Sequence, residues 1–168
     1  IFSSDVTVCS CNWGSTSVST VFTKAIGASA QYGIDMDYDA GYDYLWIIIA
    51  YDGYLQCFKR DVGGGATGDL IGVRPAWIVT DPPADTYPRD PGICVYGSDD
   101  IIAAWIDSRT VEPTWEQAVA VRSKDGENWG QDVALDLEWT DPYRLTMCCD
   151  ASADYREIYV AISKQVLR

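Results

Sequence analysis

The sequence predicts an all-β protein built from short antiparallel strands, and three observations support this prediction. First, the chain of 168 residues contains 7 Trp, 11 Tyr and 14 Gly, and aromatic residues favour strands whereas glycine favours turns. Second, apolar and polar residues alternate over short stretches bounded by Gly, Asp, Asn and Ser, and no long stretch has helical periodicity. Third, one strand-like stretch recurs along the chain, which indicates a repeated structural unit.

The repeat is clearest between residues 32–40 and 143–151. Tyr, Ile or Leu, Met, Asp and Ala recur there at a constant offset of 111 positions (143 minus 32). A third copy lies between them, at residues 92–106. The chain is therefore predicted to consist of roughly three units of about 56 residues, each one small antiparallel sheet.

Each complete unit is predicted to contain four strands, which we call A to D in chain order. The middle unit has A at 92–97, B at 101–107, C at 117–123 and D at 131–135. The preceding unit has A at 32–38, B at 44–51, C at 54–60 and D near 76–80. The N-terminal segment supplies C at 5–10 and D at 18–25, and the C-terminal segment supplies A at 143–149 and B at 157–163. The predicted order along the chain is therefore CD, ABCD, ABCD, AB.

The turn between strands C and D of the middle unit resembles a known motif. Ser123, Asp125, Gly126 and Trp129 resemble a shorter variant of the Asp-box, Ser-x-Asp-x-Gly-x-x-Trp, of sialidase-like (BNR-repeat) β-propellers. In such a turn the Asp accepts backbone N–H bonds, the Gly adopts a positive φ and the Trp packs between strands. The resemblance implies a β-propeller of four-stranded blades, in which the Asp-box is structural.

On this resemblance, residues 1–168 form one half-propeller domain with about three blades per chain. Residues 29–85 are one blade, and residues 86–138 are the blade with the Asp-box. Residues 1–28 carry the C and D strands of a shared blade, and residues 139–168 carry its A and B strands. An incomplete blade of this kind leaves unpaired strand edges, which are templates for another strand.

We therefore expect the chain to form a homo-oligomer in which strands A and B of one chain complete a blade with strands C and D of another. Two chains would form a closed ring, or many would form a filament if the geometry does not close. The residues expected to carry this contact are Val6, Val8, Ser10, Ile158, Val160 and Ile162. The alternative is that the chain is part of a longer propeller, or a processed form, since it begins at Ile1 without Met or a signal-peptide pattern.

The charge balance limits the possible partners. The chain has 25 Asp and Glu against 12 Lys and Arg, a net charge of −13, and no histidine. Nucleic acid is not an expected partner, because phosphate binding needs clustered cations. The absence of histidine excludes Ser-His-Asp and Cys-His catalysis and His-ligated zinc. No membrane span is expected, because the longest apolar run, 45–51, is far shorter than the about 20 residues that a bilayer requires.

The cysteines bear on the compartment. Their even number, six, in an acidic chain rich in Tyr and Trp is typical of a secreted protein with disulfides. We therefore expect an extracellular or cell-surface location. The alternative is that the cysteines are buried free thiols that act as small hydrophobic residues.

Two ligand sites are possible. Asp35, Asp37, Asp39 and Asp43 are spaced in a way that resembles the calcium loops of integrin-type propellers, and calcium binds several oxygen ligands. No cofactor is otherwise indicated. The alternative is a strand whose one face carries exposed acids before a hairpin.

A carbohydrate site on the central face is the second possibility. Its candidate residues are Arg89, Arg109 and Trp105, of which Trp105 could instead be a core residue between sheets. Sialidases of this fold use an arginine triad, and the chain lacks the Arg-Ile-Pro motif that marks its first member. We therefore assign no catalytic residues, and the question of enzyme activity stays open.

The function that the sequence favours is an extracellular structural or adhesive β-propeller module that self-associates by completing a blade between chains. The alternative is a carbohydrate-active enzyme or sugar-binding propeller, such as a sialidase-like glycoside hydrolase.

Overall fold

The described part of the chain consists of β-strands joined by turns. The computed structural model describes residues 5–11, 14, 17–25, 31–51, 54–62, 71–73, 88–97, 100–107, 117–123, 129–130, 133–135, 142–150 and 157–164. Within these ranges no helix has the length and apolar character needed to cross a membrane.

The strands form four open antiparallel sheets. The strands are β1 Asp5–Ser10, β2 Ser19–Ala25, β3 Gln31–Asp39, β4 Tyr44–Tyr51, β5 Tyr54–Asp61, β6 Ile71–Val73, β7 Arg89–Gly97, β8 Asp100–Asp107, β9 Gln117–Ser123, β10 Val133–Ala134, β11 Pro142–Asp150 and β12 Glu157–Lys164. Their order within the sheets is β1-β2, β3-β4-β5-β6, β7-β8-β9-β10 and β11-β12. Each strand pairs with its neighbour in the sequence, so the sheets are simple meanders.

The predicted strands agree with this arrangement except at one position. Strands β1, β4 and β9 have the predicted bounds, and most of the others differ by one to three residues at an end. The strand D predicted near 76–80 is wrong as the fourth strand of its sheet, because Ile71–Val73 fills that place by pairing with Cys57–Lys59. Residues 76–80 themselves lie outside the described residues.

The sheets pack face to face in chain order, and β4 is buried on both faces. Trp46 and Ile48 belong to a buried cluster shared with β7 and β8. Ile47 and Ile49, which point the opposite way, form a second cluster with Phe58 and with Val8 of β1. A strand between two other sheets is apolar on both faces, which explains the continuous run of apolar residues in β4.

A third cluster joins the second four-stranded sheet to the C-terminal sheet. Ala104 and Ile106 of β8 contact Leu145 of β11, and Val160 and Ile162 pack beside them. Burial of each such aliphatic side chain contributes about 1.5–3 kcal/mol to folding. The hydrophobic core therefore lies between the sheets.

Gly33 allows β3 to approach β7 closely. It has a φ of 138°, and a Cβ atom there would lie 2.6 Å from Cδ of Pro91 and 3.2 Å from Cα of Asp90. Gly14 has a φ of 80°, but a Cβ atom there would meet nothing within 4 Å. The two glycines share the left-handed backbone and differ in the space around them.

We expect Gly33→Ala to lower the unfolding free energy more than Gly14→Ala does. Both variants pay for a side chain at positive φ, about 1–2 kcal/mol, and only Gly33→Ala also forces two sheets apart, at about 1–3 kcal/mol more. Chemical denaturation of the parent and both variants measures the difference. Equal losses would show that the β3–β7 approach contributes nothing.

Candidate functional site

The candidate site lies along the innermost strands of three successive sheets. Strand β3 packs against β7, and β7 packs in turn against β11. Each of the three is a terminal strand of its sheet, so each has one edge without a neighbouring strand. Polar groups on such an edge need other partners.

Two carboxylates of β3 supply partners for the edge of β7. The backbone N–H of Ile93 donates to Oδ2 of Asp35 at 3.0 Å, and the N–H of Val95 donates to Oδ2 of Asp37 at 2.7 Å. Side chains two residues apart lie on the same face of a strand, and N–H groups two residues apart lie on the same edge. The spacing of the two carboxylates along β3 therefore matches the spacing of the two N–H groups along β7. The two bonds fix the register of one sheet against the next.

Burial changes the acidity of one of these groups. It raises the pKa of the Asp35 carboxyl above its ordinary value, against the opposing effect of the hydrogen bonds from Ile93 and Met36, and the charge of Asp37 raises it further. The fold therefore sets the acidity of Asp35 through the balance of these opposing effects.

The four acids of the predicted calcium loop are divided between two places. Asp35 and Asp37 bind β7, whereas Oδ1 of Asp39 accepts the N–H of Gly41 at 2.8 Å, and Asp43 accepts the hydroxyl of Tyr38. Among the described residues, no three of these acids bring their oxygens within 4.8 Å of one another. The structure therefore does not gather them into one calcium site, because two bind a neighbouring strand and two shape the hairpin turn.

Arg89 joins β7 to β11. Its guanidinium donates to the backbone carbonyls of Tyr143 at 2.7 Å and of Pro142 at 2.5 Å, and it also contacts Asp90 at 3.1 Å. The carboxylate of Asp90 accepts a second cation, Arg144, at 2.7 Å. Arg89 thus binds the backbone of β11, as Asp35 and Asp37 bind the backbone of β7, and each of these contacts joins two neighbouring sheets.

Asp90 and Arg144 are residues of this cluster that sequence reasoning missed. Asp90 has a φ of 46°, a backbone conformation that costs a non-glycine residue free energy and is often found at functional sites. The sequence signal was the Arg-Asp-Pro run at the start of β7, but nothing in the sequence pairs it with Arg144.

The other candidate carbohydrate residues do not join Arg89. Trp105 is only 2% exposed and belongs to the core cluster between sheets, so its ring packs as a core residue. Arg109 lies outside the described residues.

The Asp-box residues are partly described. Ser123 ends β9, and Asp125 and Gly126 lie outside the described residues. Trp129 is half-buried and packs against the cluster of β4 and β8.

The residues predicted to carry self-association lie on strands with one unpaired edge. Val8 is buried against β4 and β5, and Ser10 is exposed. Val6 is placed by its backbone, which pairs with Lys24. Ile158, Val160 and Ile162 are half-buried, and the last two pack towards β8 and β11 of their own chain. The side chains of Val8, Val160 and Ile162 thus pack within the chain itself, and one edge of β1 and one edge of β12 have no partner among the described strands.

The expected disulfides are not formed. All six cysteines are free thiols in the structure, and Cys57 and Cys94 are buried. Burial raises the pKa of the Cys57 thiol, so this residue is an inert core thiol. The alternative of a buried free thiol that acts as a small hydrophobic residue therefore fits Cys57.

The two copies of the repeat differ in exposure. Leu145 and Met147 of β11 pack towards β7 and β8, where Leu145 is 8% exposed. The corresponding residues of β3 at the offset of 111, Ile34 and Met36, are each 52% exposed. Tyr38, two residues further on, is 48% exposed. We call Ile34, Met36 and Tyr38 the open face of β3.

Comparison with known proteins identifies the fold. No family model matches the sequence, and no curated protein matches it. The structure is similar to one of the sialidase NanB, described as "NanB plus Optactamide", with a TM-score of 0.54 and 9% sequence identity. The similarity covers 96% of this chain and 30% of the NanB chain. The described chain is therefore all-β, with a fold similar to part of a sialidase-like β-propeller, and spans less than a third of the length of that protein.

The Asp35 carboxylate gives a pH-dependent prediction. Because its folded pKa is raised, its contribution to the unfolding free energy is fully present below the ordinary pKa of 3.8 and is lost as the pH rises through the folded pKa. We expect Asp35→Asn, which keeps an acceptor for Ile93 but cannot ionise, to gain stability relative to the parent as the pH rises from 3 towards 7. Asp35→Ala should lose about 1–3 kcal/mol throughout, because the Ile93 N–H is left unpaired.

Denaturant titrations at a series of pH values measure both effects. Asp5→Asn, at an exposed position on β1, controls for the loss of one negative charge. A pH-independent difference between Asp35→Asn and the parent would contradict the assignment.

Proposed function

We propose that this chain is a structural, self-associating propeller module, in which β11 and β12 of a second copy complete the sheet begun by β1 and β2. The observation that carries the proposal is the open face of β3. Leu145 and Met147 occupy the same positions of the repeat as Ile34 and Met36, and they pack against the preceding sheet through Ala104 and Ile106 of β8. Within the described ranges, the sheet preceding β3 consists of β1 and β2, which cover β4 and β5 through Val8.

The occupant that fits best is the sheet β11-β12 of another copy. In the predicted blade β11 and β12 are strands A and B, whereas β1 and β2 are strands C and D. Strand β12 has eight residues, β1 has six, and among the described strands they pair only with β11 and β2, respectively. Pairing these two edges would give a four-stranded sheet like the other two and would place the second copy's β11 over the open face of β3.

The outward face of β11-β12 is suited to this contact. Tyr159 is 54% exposed, and its cross-strand neighbour Cys148 is also exposed. The apolar open face of one chain would thus be covered by an aromatic ring and a thiol of the other. Burial of such surface favours association by about 25 cal/mol per Å².

Each association of this kind is heterologous, since the open face of one chain meets the outward face of β11-β12 of the next. Two chains joined twice would form a closed ring of six sheets, and a geometry that does not close would give a filament. An adhesive or scaffold role outside the cell belongs to this proposal and is supported by the acidic composition, with net charge −13.

The alternative, a carbohydrate-active propeller, has less support from the described residues. Trp105 is in the core, and Arg89 and Arg144 both contact Asp90. Likeness to a sialidase at 9% identity indicates the fold, and one fold supports many functions.

The first experiment is sedimentation velocity of the 168-residue chain over a range of concentrations, with native mass spectrometry of the same sample. We expect a discrete dimer or a series of longer assemblies. A folded monomer at all concentrations would overturn the proposal and would leave the open face to be covered by further strands of a longer polypeptide.

Substitutions on the two faces provide the matched test. Met36→Glu should weaken association by at least tenfold, because burial of an unpaired charge costs several kcal/mol. Tyr159→Glu should do the same from the other side. Val133→Glu places the same charge at a position 63% exposed on β10, away from both faces, and should leave association unchanged.

Mixing the two defective variants tests the heterologous geometry. A Met36→Glu chain keeps an intact β11-β12 face, and a Tyr159→Glu chain keeps an intact open face. In their mixture, the β11-β12 face of the Met36→Glu chain can bind the open face of the Tyr159→Glu chain. The mixture should therefore form heterodimers under conditions in which each variant alone is monomeric. Absence of such recovery would contradict the proposed pairing of faces.

A further inference from the structure

Three successive inner strands each direct one potential metal ligand to a common point. The ligand atoms of Asp37 on β3, Cys94 on β7 and Cys149 on β11 all lie within 4.8 Å of one another. Cys94 is buried, and the other two residues are half-buried. This group is separate from the open face of β3, since Asp37 points to the opposite side from Met36.

Each of the three groups is held in place by the backbone of β7. Asp37 accepts the N–H of Val95 through Oδ2 at 2.7 Å, and its Oδ1 accepts the N–H of Tyr38 at 2.8 Å. The thiol of Cys149 donates to the carbonyl of Val95 at 3.0 Å. Each carboxylate oxygen retains a second lone pair, so Asp37 can bind a cation without losing either hydrogen bond.

The three groups also interact electrostatically. Burial raises the pKa of the Cys94 thiol, and Coulombic interactions with Cys149 and Asp37 raise it further. The pKa of Cys149 is raised in the same way by burial and by Asp37. A bound cation would reverse this effect, because its charge stabilises both thiolates.

We propose that Asp37, Cys94 and Cys149 form a binding site for a thiophilic divalent cation such as Zn²⁺. Two thiolate sulfurs and one carboxylate oxygen are a donor set that zinc accepts, with distances of about 2.3 Å to sulfur and about 2.0–2.2 Å to oxygen. Two sulfurs bound to one tetrahedral zinc ion lie about 3.8 Å apart. The three ligand atoms already lie within 4.8 Å of one another, so side-chain rotations that move them by about 1 Å bring them into range.

The binding step balances with the release of two protons. The cation exchanges for the thiol protons of Cys94 and Cys149, and Asp37 contributes its existing negative charge. The complex of one divalent cation with three anionic ligands carries one net negative charge. The hydrogen bond from Cys149 to Val95 is given up in exchange for the bond to the metal, and a fourth coordination position remains for water or another ligand.

The site would tie three sheets together at their inner strands. The β11-β12 sheet would gain the most stability. Among the described strands it has two, whereas each of the other two sheets that the site joins has four. A ligand that binds only the folded state raises the unfolding free energy by RT ln(1 + L/Kd), where L is the free ligand concentration, so the midpoint of unfolding rises with the logarithm of the ligand concentration. Metal binding is therefore measurable both directly and as stability.

The test is titration of the reduced 168-residue chain with Zn²⁺ by calorimetry and with Cd²⁺ by ultraviolet absorption, where thiolate-to-metal charge transfer reports sulfur ligation. We expect one ion per chain, charge-transfer absorption, and a Zn²⁺-dependent rise in Tm. Affinity should fall with rising acidity, because each bound ion displaces two protons.

Variants assign the ligands. Cys149→Ser, at a half-buried position, should lower the affinity by more than the about 10- to 100-fold that loss of an outer-shell partner produces. Asp37→Asn retains the acceptor for Val95 and should also weaken binding. Cys11→Ser is the matched control, because Cys11 is an exposed thiol that lies outside the group of three. It should bind the metal as the parent does.

Three results would overturn the proposal. They are no binding by the folded, reduced chain; binding that survives Cys149→Ser and Asp37→Asn unchanged; and a Cys94–Cys149 disulfide in the protein as isolated, found by peptide mapping with mass spectrometry.

Discussion

The structure depends on charged side chains that bind the open backbone edges of the innermost strands. Each sheet is small, and its terminal strand has N–H and C=O groups with no neighbouring strand. Asp35 and Asp37 accept N–H groups of β7, and Arg89 donates to carbonyls of β11. Hydrophobic clusters pack the sheets against one another, and these directional hydrogen bonds determine the position of each sheet along the next. The charges thus specify the arrangement, and the clusters supply most of the free energy.

Much of the secondary structure could be predicted from the sequence, because alternation and turn residues are local signals. Tyr44–Tyr51 and Gln117–Ser123 are clear for this reason. The strand Ile71–Val73 was missed because three residues around a glycine carry too little pattern to stand out. The grouping of the strands into sheets could be predicted from the internal repeat, because similar strands at equal spacing imply similar sheets.

The roles of the acids and thiols could not be predicted in the same way. The spacing of Asp35, Asp37, Asp39 and Asp43 fits a calcium loop as well as a strand, and only the position of β7 shows which groups the first two bind. Asp90 and Arg144 are 54 residues apart, and so are Val95 and Cys149. Contacts over such distances follow from the stacking of sheets, which sequence alone does not reveal for individual side chains.

The outer edges of the sheets have a consequence for aggregation. Strands β6 and β10 have three and two residues, and the β1–β2 pair has a register shift between Val8 and Cys9 that leaves Val21 of β2 as an extra residue. Short or irregular edges are poor templates for lateral growth of amyloid-like sheets. The free edges of β1 and β12 are longer, with six and eight residues, and lack the protection of short length. Misassembly of the chain under destabilising conditions should therefore begin at its two terminal sheets.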